Sequence, residues 1–535
     1  MLDNLPGELY EVIVQHIADD DVQHSLLSLT RALPTAPISQ RRLFERIYIR
    51  TPRQAVALYH RLRKKGGHQN LTGSWIYSLC VHDWTVDADV VLNILTLLPN
   101  LRSLSVWIGP SNFTPEHLEE MFDDPIGDLQ YLSLRFRPYV QKANYYQFLK
   151  GAYFDSTLSA LSRWPPSQIP ALSIVQDPID SGMVFATRQA FAQPLVFFKM
   201  DPNLSTMLQS PAMVDSLKAL RLCIPSRPIV RSLCLPAPGQ ANSDGLPPQL
   251  PAIELLDLST CGVLEGEVDM ILTQISSLKH LILDECPIIH GELREGEWHA
   301  MGKRCALVGV RRAREREKIV RASMESIALA SQIEHLGLDG APAHMPERRP
   351  RRGRRGLAVA TISLRAPSPP RGLNARLATS VRERPAVQRT RLLPPLPSLH
   401  TLCTTLSPSI KPETYPSIRA EFEAGWAEGM AVLSVTRARL RESAKNGVSI
   451  VRFVDSSLTQ SASDSESEDD LGAVVPAMRG LERVRRYDDD AFAVPPEALA
   501  SVPVLCFAGS KGAIDHSPGC GHSIAQVIWR DSERV

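Results

Sequence analysis

Cys506, His516, Cys520 and His522 are of the types that hold a soft metal ion, because thiolate sulfur and imidazole nitrogen are the ligands of structural zinc. Their spacing matches no standard zinc site, so Gly519-Cys520-Gly521-His522 is expected to form a turn, with no metal and no cofactor. The chain has no Gly-x-x-x-x-Gly-Lys phosphate loop, no His-Glu-x-x-His, no Gly-x-Ser-x-Gly elbow and no Cys-x-x-Cys pair. No catalytic residue is therefore assigned, and the chain is expected not to be an enzyme.

Two charged stretches offer binding rather than catalysis. Residues 344–396 hold thirteen arginines against Glu347 and Glu383, together with eight prolines. Such a composition cannot offset ordering entropy by apolar burial, and its clustered guanidinium groups attract phosphate chains. It carries no interleaved aromatic residues for base stacking, so nucleic acid is the lesser expectation for this insert. Ser461 to Asp470 interleaves serines with acids, the composition of a solvated segment and of an acidophilic kinase target.

The elements that would position these groups have to come from 535 residues, more than one compact core normally supports. Hydrophobic content of 44% and charged content of 22% are close to globular averages, and the net charge of +1 gives no global pull toward nucleic acid or membrane. Met1-Leu2-Asp3-Asn4-Leu5-Pro6 lacks the basic head and apolar run of a signal peptide, and no apolar stretch is long enough to span a bilayer. The expectation is a soluble cytoplasmic or nuclear protein whose nine scattered cysteines stay reduced.

Leu9, Val12, Ile13, His16 and Ile17 follow the three- and four-residue spacing of one helix face, and Pro6 suits a helix's first turn. A second cluster, Leu26, Leu27, Leu29 and Leu33, is stopped by Pro34 and Pro37. Leu43, Phe44 and Ile47 suit a third short helix, and Ile47 and Ile49 suit the start of a strand. The segment resembles the F-box family, particularly the F-box-like modules of fungal proteins, through Leu5-Pro6, Glu8-Leu9, Ile13, Ile17, Leu26-Leu27, Leu29 and Arg42-Leu43-Phe44. That resemblance implies that Leu5, Pro6, Leu9, Ile13 and Leu27 contact the Skp-type adaptor of a cullin-RING ubiquitin ligase. Thr30-Arg31-Ala32-Leu33-Pro34 replaces the family's usual Cys-x-x-Trp end of the second helix.

A Leu-x-x-Leu-x-Leu core recurs at Leu101–Val106, Leu129–Leu134, Leu217–Leu222, Ile253–Leu258, Leu278–Leu283 and Ile333–Leu338. Its recurrence resembles leucine-rich repeats. The likeness is most specific where two cores end in Leu-x-x-Cys, at Cys261 and Cys286, which are expected to fill turns as small apolar residues. Leu161 and Leu172 suit weaker strands between the second and third cores. Trp298, Met301, Cys305 and Val308 predict a long helix within 295–330. Ile418, Phe422, Trp426, Met430 and Leu433 predict another, followed by a strand over 448–454. Val502 to Phe507 and Ile524 to Trp529 read as a closing strand pair.

The expected organisation is α/β. A small helical F-box-like module (1–50) is followed by an irregular leucine-rich-repeat solenoid (51–343) and a disordered Arg/Pro-rich insert (344–396). A C-terminal repeat or cap (397–454), a mostly disordered acidic serine-rich segment (455–500) and a strand pair (501–535) complete it. The resemblance implies a substrate-recognition adaptor of a ligase containing the Skp-type adaptor and a cullin, with an unidentified protein substrate on the repeat surface. The alternative is a repeat scaffold that binds protein or RNA without a ligase.

Overall fold

The computed structural model describes residues 5–17, 21–38, 41–63, 72–109, 112–137, 153–165, 169–178, 200–235, 250–286, 288, 296–335, 390–407, 410–454, 476–484, 489–507, 516 and 519–533. Most of the Arg/Pro-rich insert, from 344 to 389, and the acidic serine run lie outside these residues.

The described residues form thirteen strands. They are β1 (Arg46–Ile49), β2 (Ser78–Val81), β3 (Ser103–Ile108), β4 (Tyr131–Phe136), β5 (Ala171–Gln176), β6 (Ala219–Cys223), β7 (Leu255–Asp257) and β8 (His280–Leu283). β9 (Thr390–Leu392), β10 (Thr401–Thr404), β11 (Ser449–Phe453), β12 (Leu481–Arg483) and β13 (Val504–Cys506) follow. The chain forms two compact units, one of residues 1–313, 394–437 and 493–535, the other of residues 314–393 and 438–492.

The first unit is built on one ten-stranded sheet in the order β1-β2-β3-β4-β5-β6-β7-β8-β10-β13, with every pairing parallel. Register carries Leu79, Leu104, Leu132, Leu172, Leu220, Leu256, Leu281, Leu402 and Leu505 in one row across the sheet. These leucines share one core with the connecting helices, for example with Val91 and Ile94 of Ala88–Leu95 and Leu118 and Phe122 of Pro115–Asp123. The opposite face carries a separate cluster in which Ala525 and Trp529 of the helix Gly521–Glu533 cover Tyr131, Ala171, Ala219, Leu255 and Ile282.

The expected leucine-rich-repeat solenoid is corrected by this sheet, a single α/β layer with flanking helices. An apolar residue at every second position is what one buried face of any strand requires, so the recurring core specifies strand and register without specifying a repeat. Spacing agrees: 25 residues separate Leu79 from Leu104 and Leu256 from Leu281, but 48 separate Leu172 from Leu220 and 121 separate Leu281 from Leu402. The sixth core also fails as a strand, because Ile333–His335 ends the helix Val308–His335. Leu161 lies in the helix Tyr153–Ser162 rather than on a strand, whereas Leu172 is on β5. The helix expected within 295–330 is two, Glu297–Ala306 and Val308–His335, broken at Leu307. Ile524–Trp529 is helical, so the expected strand pair of Val502 to Phe507 with Ile524 to Trp529 does not form.

Ile418, Phe422, Trp426, Met430 and Leu433 form the buried stripe of the helix Tyr415–Lys445. It crosses the helix Glu297–Ala306 at glycines: a Cβ on Gly425 would run into the backbone oxygen of His299, and one on Gly302 into that of Phe422. Backbone cannot swing aside as a side chain can. Gly425→Ala is therefore expected to lower the unfolding free energy by about 1–3 kcal/mol through overpacking, although alanine is the better helix former. Urea unfolding checks this, and an unchanged or raised midpoint would show that the crossing tolerates a methyl group.

The second unit holds the sheet β12-β11-β9, with β9 parallel and β12 antiparallel to β11. Leu393, Ile450, Val484 and Phe492 form its core. Glu317 accepts from the backbone N–H of Leu392 at 2.8 Å and pairs with Arg391 at 3.1 Å. Among the described residues no helix is long and apolar enough to cross a membrane.

Candidate functional site

The N-terminal helices are Gly7–Gln15, Val22–Ala32 and Arg41–Glu45. Their inward residues are Tyr10, Val14 and Leu26. The side-chain amide of Gln23 donates to the carbonyl oxygens of Leu43 and Arg46, fastening the second helix to the third and to β1. Because Tyr10, Val14 and Leu26 take the inner face, the residues singled out for adaptor contact are turned outward: Leu9 is 46% exposed, Ile13 42% and Leu27 44%, and Val12 joins them at 48%. Pro6 is exposed at the start of the first helix, and Leu5 is half-buried beside it.

A second surface forms at the carboxyl ends of β2, β3 and β4. The His82 ring stacks on Trp107 with centroids 5.1 Å apart, and Trp84 lies 4.8 Å from Trp107. Arg135 sits 4.9 Å above the Trp107 ring and Arg137 5.8 Å above Trp84. Asp177 pairs with Arg135 at 2.7 Å and holds its guanidinium in place over the ring. Both tryptophans are partly exposed. Sequence reading missed this cluster because its members come from three strands and carry no shared spacing.

The Cys/His residues set aside as a turn are brought together. Cys506 ends β13, Cys520 immediately precedes the helix Gly521–Glu533 and His522 lies in its first turn, while His516 approaches from the connecting segment. One ligand atom from each of the four lies within 4.8 Å of the others. The His516 Nδ1 is 3.8 Å from the sulfur atoms of both Cys506 and Cys520, and the His522 Nδ1 is 3.9 Å from Cys520 Sγ. Gly519 takes the left-handed φ of 73° that turns the chain toward the helix. A Cβ on Gly521 would press on Thr401 Oγ1 at 2.8 Å and Cys403 Sγ at 3.2 Å, so only glycine lets the helix start this close to the sheet.

The other face of His522 is fixed as well. Its Nε2 lies 2.7 Å from Asp284 Oδ2, with both side chains almost wholly buried, and Thr405 donates to Asp284 Oδ1 at 3.2 Å. Burial opposes a charge on His522, but Asp284 and Cys506 outweigh it and raise its pKa to about 10. The Cys403 thiol holds Cys520 down at about 5 against the cost of burial, aided by the backbone N–H of Ser523 and by His522. Cys403 itself is pushed up by Cys506, Cys520 and burial, so it keeps its proton. The arrangement therefore offers two sulfur and two nitrogen ligands, with a protonated thiol beside them.

The remaining thiols are of a different kind. Cys261 donates to the carbonyl of Leu222 at 3.0 Å and Cys286 to that of Leu258 at 3.1 Å. Burial pushes both thiols well up, and it raises Cys305 to about 12; such thiols are unreactive. Comparison with protein-family models, with curated proteins and with solved structures finds no match for this chain.

Proposed function

We propose that this chain is the substrate-recognition adaptor of a cullin-RING ubiquitin ligase, docking on a Skp-type adaptor through its N-terminal helices and holding a protein substrate on the first unit. The observation that supports it is the outward-turned Leu9, Val12, Ile13 and Leu27 on two successive helices. Large apolar side chains left in water on one small module mark a surface for a protein partner. The chain's share in ubiquitin transfer is proximity: holding an acceptor lysine beside a charged conjugating enzyme raises its effective concentration, and other subunits perform the chemistry.

The substrate surface on this reading is the Trp84, Trp107, Arg135 and Arg137 cluster, since tryptophan and arginine are the residue types enriched at interface hot spots. The sheet face between β4 and β8 does not serve, because the chain's own helix Gly521–Glu533 covers it.

Binding of the purified chain to a purified Skp-type adaptor tests the reading. Leu9→Asp with Leu27→Asp is expected to weaken binding by about 100-fold, the effect of losing central apolar anchors. Both positions are exposed, so the variant should unfold at the same urea concentration as the parent. Failure of the folded parent to bind the adaptor at all would remove the ligase reading.

A further inference from the structure

We infer that Cys506, His516, Cys520 and His522 bind one zinc ion, which clamps the first turn of the helix Gly521–Glu533 to the end of β13. The donor set comes first: two sulfurs and two imidazole nitrogens in a buried pocket match tetrahedral zinc rather than a hard oxygen-seeking cation. Zinc bonds of about 2.3 Å to sulfur and about 2.0 Å to nitrogen place tetrahedral S···N edges at about 3.5 Å. The three S···N separations here, 3.8, 3.8 and 3.9 Å, need only a slight contraction around the ion.

Three observations outside the ligand set point the same way. Asp284 bonds the His522 nitrogen that faces away from the sulfurs, the carboxylate–histidine arrangement that fixes a metal-ligating ring and raises its basicity. It comes from the turn after β8, far away in sequence, and Thr405 orients it in turn. Next, His516 Nε2 is buried with no hydrogen-bond partner among the described residues. Burying that ring costs polar hydration, which a metal bond at Nδ1 offsets. Finally, Gly519 and Gly521 give the backbone the left-handed turn and the close approach to Thr401 and Cys403 that seat Cys520 and His522 together.

Four protein ligands leave no open position, so the ion is structural and generates no nucleophile. It has a clear task. The helix it clamps is held to the sheet by Ala525 and Trp529, with Ile524 and Ile528 partly buried beside them, and leaves Val527 63% exposed. Metal ligation of the two residues that flank its start adds an anchor that does not depend on apolar area.

Zinc content of the purified full chain, measured after gel filtration, and cobalt replacement test the assignment. The expected result is one zinc per chain, and intense tetrahedral thiolate–cobalt absorption after exchange. Cys520→Ser is expected to abolish that absorption, whereas Cys403→Ser retains it. Asp284→Asn keeps all four ligands and is expected to weaken zinc affinity by about 10–100-fold, so the test stands even where a ligand variant fails to fold. Parent protein that is folded, carries no zinc, and shows no tetrahedral cobalt spectrum after incubation with the metal overturns the proposal. Loss of the cobalt spectrum in Cys403→Ser but not in Cys520→Ser overturns the ligand set.

Discussion

Asp257→Ala is expected to lower the unfolding free energy by about 3–5 kcal/mol, because it breaks a buried ion pair by removing one partner. Asp257 and Arg221 are register partners on β7 and β6, and their side chains meet at 3.1 Å with only 5% and 14% of their surfaces exposed. The carboxylate also accepts from the backbone N–H of Ser259 at 3.0 Å, from its hydroxyl at 2.5 Å and from the Cys223 thiol at 3.8 Å. Removing it takes away the acceptor shared by the Ser259 N–H, the Ser259 hydroxyl and the Cys223 thiol, and the ion pair to Arg221. The pair itself need not stabilise the sheet, since its mutual attraction has to offset the desolvation of two charges. Arg221→Met together with Asp257→Leu is accordingly expected to recover most of the loss. Urea unfolding of the two single variants and the double variant measures this coupling. A loss below about 1 kcal/mol for Asp257→Ala would mean that water reaches Arg221, and the burial argument would fail.

The same row of the sheet explains what was legible in the sequence and what was not. Leu104, Val106, Leu132 and Leu134 announce their strands because alternation is a local signal, complete within six residues. Their opposite neighbours Ser105, Ser133 and Ser173 read as solvent-facing by the same alternation, yet all three are buried. Nothing near them in sequence reveals that the far face is covered, because part of the cover is a helix some hundreds of residues later. That helix was itself misread as a strand from the short apolar run Ile524 to Trp529, where period and length do not separate the two choices. Ala525 and Trp529 are four apart, the spacing of one helix face, and this was the available signal.

The Cys/His cluster was illegible for a related reason. Standard zinc spacings are legible because one hairpin or one helix carries two ligands at fixed offsets. Here β13 supplies Cys506, a helix start supplies Cys520 and His522, and the supporting carboxylate comes from Asp284, 238 residues before His522. The parallel sheet does the assembling: β8, β10 and β13 lie side by side, which places Cys403 opposite Cys506 and brings the turn after β8 to the same end. The exposed N-terminal leucines were legible in the opposite sense, because an amphipathic helix with more apolar residues than its inner face can use must leave some in water. Tyr10 and Val14 take that inner face and leave Leu9, Val12 and Ile13 outside.

Trp529→Ala is expected to release the helix Gly521–Glu533 from the sheet without unfolding the rest of the first unit. Trp529 is 1% exposed, and its ring lies 6.1 Å from that of Tyr131 on β4, whereas Gly521 at the helix start lies against Thr401 and Cys403 of β10, five strands away. The helix therefore runs across the strands, and Trp529 is its distal anchor. Truncating a buried tryptophan costs about 3–5 kcal/mol and leaves Ala525, with the partly buried Ile524 and Ile528, as the remaining apolar contact of the helix. Because these side chains lie on one helix packed onto a sheet with its own separate core, the loss appears as local opening rather than as global unfolding. Hydrogen exchange is the direct measurement: amides of 524–533 should lose protection while those of β3 to β6 keep theirs. With zinc bound, the first turn around His522 stays protected. After chelation it is expected to exchange with the rest of the helix, a difference that the apolar contacts alone do not produce. Uniform loss of protection across β3 to β6 would show instead that the helix and the sheet unfold as one unit, and that the cover is integral to the fold rather than clamped onto it.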